Sequence, residues 1–460
     1  MPARNLEPRD RMPTSTRGER MNGAREQGAG RRWRSFGFSG AAVAMVVAAA
    51  AACDTDVTNP GPVQDVFLDD AAAQPAMVNG MGRAVAQGLN WLAYTGAAVA
   101  REIHPAGSTG SFGISVQWQA GQLEADDTGL NAHWNESQRA RFLAESGIAR
   151  MEEVGPESQA LLAQAYLWAG YANRLLGEHY CEAVIDGGAP QSHTAYYERA
   201  ESQFSRAIEL GGGALQNAAR AGRASVRLHL DNWAGAVSDA EAVPNDFLFE
   251  MSYFDGFGDP QRNRMVWGMW SQPYRAHTQW NTKYVDIGFE PQENPDGDPR
   301  VPWRFTDGVG DAAIGCCGNV PFWPQNKYTS PGANKPLSKG AEMRLIEAEN
   351  MLRNGNWQGA IDHINSQVRG PAGVAPVSAA TPDEAWALLK EERGIVLWLE
   401  GRRLSDLRRW DAEGTPGDLH PLEVASGSAD EGSHLQRQDL CFPIAVVEQE
   451  TNPNVERVTP

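Results

Sequence analysis

The sequence has 460 residues, of which 42% are hydrophobic, and it carries a formal net charge of −18. That length fits one large domain or two ordinary ones, and that hydrophobic content is too high for a disordered chain. The acidic balance excludes nucleic acid as an expected partner, because phosphate backbones repel a negatively charged surface.

The first 52 residues have the features of a secretory signal. They contain nine Arg and four acidic residues, a balance of +5, so the total of −18 leaves −23 on the chain from Cys53 onward. Basic residues precede an apolar run, Phe36 to Ala52, that is shorter than the roughly 20 residues a spanning helix needs. The run ends in Ala50-Ala51-Ala52-Cys53, which resembles a lipobox. We expect residues 1–52 to be a lipoprotein signal peptide and Cys53 to be lipidated; the alternative is a plain secretory signal cut near Ala52.

The segment from Cys53 to residue 65 is polar and broken by proline, which is typical of a flexible tether. Residues 66–460 are expected to form a single domain. No second apolar run of spanning length follows in the sequence, so lipid alone is expected to anchor the body to the membrane.

The body is predicted to consist of helices that pair in sequence. Apolar residues recur three and four positions apart, which indicates amphipathic helices. Gly177 is expected to end the first of them. The predicted helices span residues 161–176, 195–209, 214–229, 233–242, 340–353 and 357–368.

Two of these helices begin alike, with Asn232-Trp233-Ala234-Gly235 and Asn356-Trp357-Gln358-Gly359. This pattern resembles the turn of tetratricopeptide repeats, where a short polar connection joins a helix pair. The spacing of the pairs is irregular. The sequence therefore predicts an all-α fold of irregular, tetratricopeptide-like helical hairpins.

A contrasting block lies between the helices, at residues 244–336. It is rich in Pro, Gly and Asn, shows no sustained helical period, and contains one third of the 15 Trp residues. Loop-rich segments of this length are uncommon unless they are functional. Flat C–H faces of sugars pack on aromatic rings, and sugar hydroxyls need amides, carboxylates or guanidinium groups nearby. The sequence nominates as ligand-binding residues Trp267, Trp270, Tyr274, Arg275, Trp280 and, outside the block, Trp118. The alternative for each ring is that it only packs the loops onto the helices.

A set of motifs near the C-terminus is specific. Glu392-Arg393 continues to Glu400-Gly401-Arg402 and then to Asp406-Leu407-Arg408-Arg409-Trp410. Two landmarks precede it, Asp298-Pro299-Arg300 and Lys327-Tyr328, and Asn452-Pro453-Asn454 follows it. In order and spacing these motifs resemble those of the SusD/RagB family, and the resemblance covers about residues 66–454.

The resemblance implies a SusD-like fold and a surface-exposed outer-membrane lipoprotein without enzymatic activity or cofactor. It also implies an oligosaccharide or peptide ligand that is handed to a SusC-like TonB-dependent transporter. The motif from Glu392 to Trp410 is expected to be one helix with a structural role, in which charged pairs three or four residues apart contribute about 0.2–0.5 kcal/mol each when exposed. A protein-interaction scaffold is the alternative function.

Other chemistry has little support in the sequence. A glycosidase needs two carboxylates about 5–10 Å apart, which sequence spacing cannot establish. Neither a GxSxG nor an HExxH motif occurs. Cys316 and Cys317 are adjacent and lack the spacing of a zinc site, so no metal is expected. The segment from Asn294 to Asp298 offers oxygen ligands to calcium, but a tight turn explains it better.

Four cysteines follow Cys53, and an exported protein can form disulfides. Cys316 and Cys317 are too close for an unstrained bond with each other, so they are expected to pair elsewhere or to form a strained ring. Cys181 and Cys441 are then candidates to pair with each other.

Overall fold

Helices dominate the computed structural model, which describes residues 65–107, 116–256, 261–270, 275–310, 320–425 and 435–458. The all-α fold predicted from the sequence is confirmed. In chain order the helices are α1 (Gln74–Val99), α2 (Val116–Gln119), α3 (Leu130–Val154), α4 (Gln159–His179), α5 (Thr194–Leu210), α6 (Gly213–His229), α7 (Trp233–Glu241), α8 (Arg264–Met269), α9 (Lys283–Ile287), α10 (Gly340–Arg353), α11 (Trp357–Ile364), α12 (Pro382–Val396), α13 (Arg403–Glu413) and α14 (Val446–Thr451).

Short antiparallel strand pairs connect distant parts of the chain. They are β1 (His104–Pro105) with β5 (His277–Thr278), β2 (Glu182–Ala183) with β3 (Gln191–Ser192), and β4 (Leu248–Met251) with β6 (Lys335–Lys339). The first pair joins the loop-rich block to the segment after α1, and the third joins the beginning of the block to its end. Within the described ranges, no helix combines the length and apolar character needed to cross a bilayer.

The predicted helices form, with two corrections at their ends. The predicted stop at Gly177 is wrong, because α4 continues to His179. Gly177 lies inside the helix where the ring of Tyr197 on α5 packs against it, and a Cβ there would be 2.8 Å from that ring. The helix predicted for 357–368 ends at Ile364 and continues as a π-helical turn, Asn365–Arg369.

The repeated Asn-Trp motif is a shared helix start. Asn232 and Asn356 cap α7 and α11, and the side chain of each accepts a hydrogen bond of 3.1 Å from the backbone N–H three residues later, at Gly235 and Gly359. A Cβ at either glycine would lie within 2.8 Å of the capping side chain, which would then have to shift away from its hydrogen bond. The two turns are therefore alike for a local reason, the satisfaction of free N–H groups at the helix start.

The C-terminal motif is two helices and not one. Between α12 and α13 the chain turns at Leu399 and Gly401, whose φ angles are 59° and 76°. Left-handed backbone is costly for leucine, so the turn needs support from elsewhere. The carboxylate of Glu102 accepts a 2.9 Å hydrogen bond from the N–H of Leu399, and Lys327 Nζ donates to the carbonyl of Trp398 at 2.5 Å.

Charged residues of the motif are buried, which corrects the expectation of exposed pairs. Asp406 and Arg409 do pair three residues apart, at 3.2 Å, and the other partners are more distant in sequence. Arg393 binds Asp406 through two hydrogen bonds of 2.9 Å. Arg402 joins Glu178 of α4 to Glu342 of α10, at 3.1 and 2.8 Å. These side chains are almost wholly buried. A carboxylate or guanidinium in such a place must be paired, because removing a charge from water costs several kcal/mol. The motif therefore connects helices from across the domain.

Glu102 gives the fold a dependence on pH. Only its Oε1 has a partner, the N–H of Leu399, and the buried Oε2 has none among the described residues. Burial raises the pKa of this carboxyl, and the Leu399 hydrogen bond and the nearby Arg403 and Lys327 lower it. Burial is the larger effect, so the pKa rises from about 4.5 to about 7. Because the folded state holds the proton more tightly, this group's contribution to stability is lost as pH rises from about 4.5 to 7.

Glu102→Gln is expected to remove that loss. The neutral amide can still accept the hydrogen bond from Leu399 and does not titrate. The free energy of unfolding of the variant, measured relative to the wild type, should therefore be about 2–3 kcal/mol higher at pH 8 than at pH 5. Urea unfolding at the two pH values measures this. An equal difference between variant and wild type at both values would show that Glu102 does not titrate in this range.

A disulfide joins Cys181, just after α4, to Cys441 in the C-terminal segment, with Cα atoms 5.0 Å apart. A parallel β-bridge between Tyr180 and Phe442 lies beside it. The C-terminal tail is held further by its two asparagines, Asn452 and Asn454, whose side-chain amides donate to the carbonyls of Gly188 and Gly187.

Several residues singled out in the sequence lie outside the described residues. They are the predicted signal peptide, Cys53 with the tether up to residue 64, Tyr274, Cys316 and Cys317. The lipidation of Cys53 and the pairing of the two adjacent cysteines therefore stay predictions.

Candidate functional site

Three segments of the loop-rich block come together beside β5. The N–H of Gln279 donates to the carbonyl of Trp323, and the N–H of Trp323 donates to the hydroxyl of Thr278, both at 2.8 Å. A β-bridge between Trp303 and Gln325 adds the segment around residue 303. Aromatic residues that are about 20 to 50 positions apart in sequence therefore lie on one part of the molecule.

The aromatic surface consists of Trp270, Phe305 and Trp323 together with the polar side chains of Arg304 and Asn326. Trp323 stacks on the buried ring of Trp303, with ring centroids 5.2 Å apart, and Phe305 is 5.8 Å from Trp323. The three surface rings are half-buried, so each is held in place and still presents part of its face.

Polar groups connect to the same rings. Trp270 Nε1 donates to Asn326 Oδ1 at 3.4 Å, and the guanidinium of Arg304 lies 5.7 Å from the centroid of the Trp270 ring. Arg304 and Asn326 are exposed. Flat apolar faces beside an amide and a guanidinium are the groups with which an oligosaccharide can be bound. Binding sites of this kind combine mostly apolar contact with a few orienting polar groups.

The residues nominated from the sequence are dispersed. Trp270 belongs to the aromatic surface. Trp280 is half-buried against the ring of His104, 5.2 Å away, and Trp267 lies under the guanidinium of Arg262, 4.1 Å away. Arg275 donates to the carbonyl of Val309 at 2.9 Å.

Trp118 has no exposed face. It is fully buried, and its ring packs edge-on against that of His133, 5.5 Å away. The expectation that it lines a ligand surface is wrong for this structure, because the helix that carries it packs inward.

Arg304, Phe305, Trp323 and Asn326 were not nominated from the sequence. Trp323 was counted within the Trp-rich block, and the adjacent Trp303-Arg304-Phe305 offered the same combination of ring and guanidinium. That signal was present, but its partner Trp270 lies 34 positions before Arg304 and only the folded chain brings them together.

The buried carboxylate of Glu290 lies next to the aromatic surface and is bound by backbone N–H groups. Glu290 accepts hydrogen bonds from the backbone N–H groups of Gln292, Glu293 and Phe305. Burial would raise the pKa of this carboxyl, but the three N–H donors outweigh burial and lower it. A carboxyl held ionised in this way cannot protonate a leaving group at neutral pH.

The segment from Asn294 to Asp298 forms a hydrogen-bonded turn. The N–H of Gly297 donates to the carbonyl of Asn294, and the side-chain amide of Asn294 donates to the carbonyls of Asp286 and Gly288. Among the described residues, no three His, Cys, Asp or Glu side chains are arranged to hold a metal ion. The turn is explained by its own hydrogen bonds.

Comparison with known proteins addresses the fold and the C-terminal motifs. The model of the SusD family matches residues 327–457. The C-terminal part of the chain therefore matches the SusD/RagB family, as the motifs there predict. Within the SusD match lie the turn at Leu399, the paired charges of α12 and α13 and the asparagines of the tail. The aromatic surface precedes residue 327, so the match says nothing about its ligand.

Solved structures with the SusD fold resemble the chain over most of its length. A SusD superfamily protein from Bacteroides vulgatus is 16% identical, with a TM-score of 0.60 over 84% of this chain and 98% of that one. One from Parabacteroides distasonis is 13% identical, with a TM-score of 0.61 over 84% and 98%. A third, described as a SusD-like carbohydrate binding protein from Bacteroides vulgatus, is 14% identical, with a TM-score of 0.51 over 84% and 97%. No curated protein matches the chain.

Proposed function

We propose that this SusD/RagB protein binds an oligosaccharide at the cell surface, without catalysing its breakdown, and delivers it to a SusC-like TonB-dependent transporter in the outer membrane. The observation that carries the proposal is the aromatic surface, on which Trp270, Phe305 and Trp323 lie beside Arg304 and Asn326. The carbohydrate-binding relative from Bacteroides vulgatus, which shares the fold, supports the choice of ligand class.

Binding at such a surface is expected to be weak. Each hydroxyl exchanges a water for a protein partner at a net gain of about 0.5–1.5 kcal/mol, and each ring contributes contact with a sugar face. The rings are half-buried and need little ordering when the ligand arrives. Weak, preformed binding suits a protein that must release its ligand to a transporter.

A binding screen tests the ligand class. The full-length protein, purified in detergent, is titrated with neutral and acidic oligosaccharides and with short peptides. Saturable binding of an oligosaccharide supports the proposal. Binding of peptides alone favours the peptide-uptake alternative, and binding of neither favours an interaction scaffold. Release of smaller sugars by the pure protein would overturn the non-enzymatic part.

Attachment to the membrane is part of the proposal and has its own test. Cys53→Ser is expected to release the protein from the membrane fraction, because the serine variant cannot be lipidated and roughly 0.8 kcal/mol per buried methylene is lost. Fractionation of cells followed by immunoblotting measures this. The matched control is Thr55→Ser, which alters the same segment but keeps the cysteine, and it should stay with membranes. Equal retention of the Cys53 variant would contradict lipidation.

A further inference from the structure

Arg304 of the aromatic surface and Arg275 nearby in the loop-rich block have no carboxylate partner among the described residues. Elsewhere in the described chain, arginines typically bind an acidic side chain, as Arg141 binds Glu145 and Arg223 binds Asp239. The guanidinium of Arg304 has no hydrogen bond or ion pair within the described residues, and that of Arg275 has only the carbonyl of Val309.

From this arrangement we infer that the preferred ligand is an anionic oligosaccharide, whose carboxylate or sulfate group binds Arg304 while its ring packs on Trp270. The inference rests on the proposed function, since it specifies the class of sugar bound at the same surface. A guanidinium matches a carboxylate or sulfate through two parallel N–H donors, which an uncharged hydroxyl cannot use as well.

Placement of the charge supports this ligand class. Arg304 lies 5.7 Å from the Trp270 ring, within the range of a cation–π contact, so its guanidinium is held next to the face on which a sugar would lie. Arg275 lies 5.9 Å from the ring of Phe322, which precedes Trp323 in sequence. The exposed Asp307 pairs with neither arginine.

The negative charge of the whole protein strengthens the inference that these arginines bind an anionic ligand. The chain from Cys53 onward carries −23, which repels an anionic ligand from most of the surface. Approach of an anion is favoured where local positive charge offsets that repulsion. The guanidinium groups beside the rings, which have no carboxylate partner among the described residues, provide it at the place where the ligand is proposed to bind.

The experiment compares acidic oligosaccharides with neutral counterparts of the same ring. Oligomers of galacturonate, glucuronate and mannuronate, their carboxyl-reduced forms, and a sulfated oligosaccharide are titrated against the full-length protein in detergent. We expect at least one acidic oligomer to bind about tenfold more tightly than its neutral form at low salt. This ratio should shrink as the Debye length falls from about 30 Å at 0.01 M salt to about 8 Å at 0.15 M. The sulfate arm distinguishes the two sources of negative charge.

Arg304→Gln should bring the ratio of acidic to neutral affinity close to one, because the acidic oligomer loses a charge-assisted contact and the neutral oligomer loses at most an uncharged one. The matched control is Arg220→Gln on α6, which removes the same charge and no described ion pair, and should preserve the ratio. Equal affinities for acidic and neutral oligomers, or an unchanged ratio in the Arg304 variant, would overturn the inference and leave the proposed function standing. Binding of no oligosaccharide at all would overturn both.

Discussion

Replacing Glu400 with Gln is expected to lower the free energy of unfolding by about 3–5 kcal/mol. One carboxylate oxygen of Glu400 accepts from both Lys327 Nζ, at 2.6 Å, and Lys339 Nζ, at 2.5 Å. The carboxylate is 2% exposed and each lysine side chain 17%. The amide would leave two largely buried ammonium groups without their anion, although each keeps one backbone carbonyl, of Trp398 and Val396.

The loss should depend on pH with a definite sign. Burial lowers the pKa of Lys327 to about 8, even with Glu400 present to raise it. Without Glu400 the folded state should release this proton at still lower pH, while the unfolded state keeps it, so the variant gains stability as pH rises. Guanidinium chloride unfolding at pH 6 and pH 9 should therefore show the larger deficit at pH 6.

The matched control is Glu413→Gln at the end of α13. Glu413 forms an ion pair with Arg353, but its side chain is 30% exposed and lies at the surface. Exposed pairs of this kind contribute about 0–1 kcal/mol. If the Glu400 and Glu413 variants lost similar amounts of stability, the turn at Leu399 would not depend on the buried lysine–glutamate cluster.

Replacing Trp270 and Trp323 together with Leu is expected to weaken oligosaccharide binding by at least about 30-fold, or roughly 2 kcal/mol. Leucine keeps much of the apolar volume against Trp303 and the core but has no flat face for a sugar ring. Trp323 is the second residue to be changed, and not Trp267 or Trp280, because those two rings pack on Arg262 and His104. Calorimetric titration with the best oligosaccharide from the screen measures the change.

Trp357→Leu provides the control for the loss of a half-buried indole. Trp357 begins α11 and packs against a separate cluster of α10, α11 and α12, away from the aromatic surface. The control should bind as the wild type does, and thermal unfolding should show that all variants remain folded. Unchanged affinity in the Trp270 and Trp323 variant would move the ligand to another surface.

The helices could be predicted because their causes are local. Apolar spacing, the capping Asn232 and Asn356, and the glycines after them act within a few residues of one another. The turn at Leu399 could not be predicted, because its support comes from Glu102 and Lys327, which are distant in sequence. The sequence of a charged motif also does not show whether its ion pairs are exposed or buried.

The same distinction applies to the aromatic surface. Composition identified the Trp-rich block, since many rings beside Asn, Gln and Arg are visible in the sequence. Composition does not tell which side of a ring faces the core. Trp118 is buried because its short helix packs into the core. Trp270 lies near Arg304 because the fold places their segments side by side.

The disulfide between Cys181 and Cys441 changes how the chain carries mechanical load. A force applied between the two ends of the protein is transmitted through the disulfide bond. The residues between the two cysteines, a sequence separation of 260, therefore do not carry that force. At about 3.3–3.6 Å per residue, roughly 900 Å of contour length cannot be extended by such a force until the disulfide is reduced. All helices from α5 to α13, and the aromatic surface with them, lie inside this closed ring. A force applied at the proposed lipid anchor, Cys53, would therefore not be transmitted through the part of the molecule that holds the rings in place.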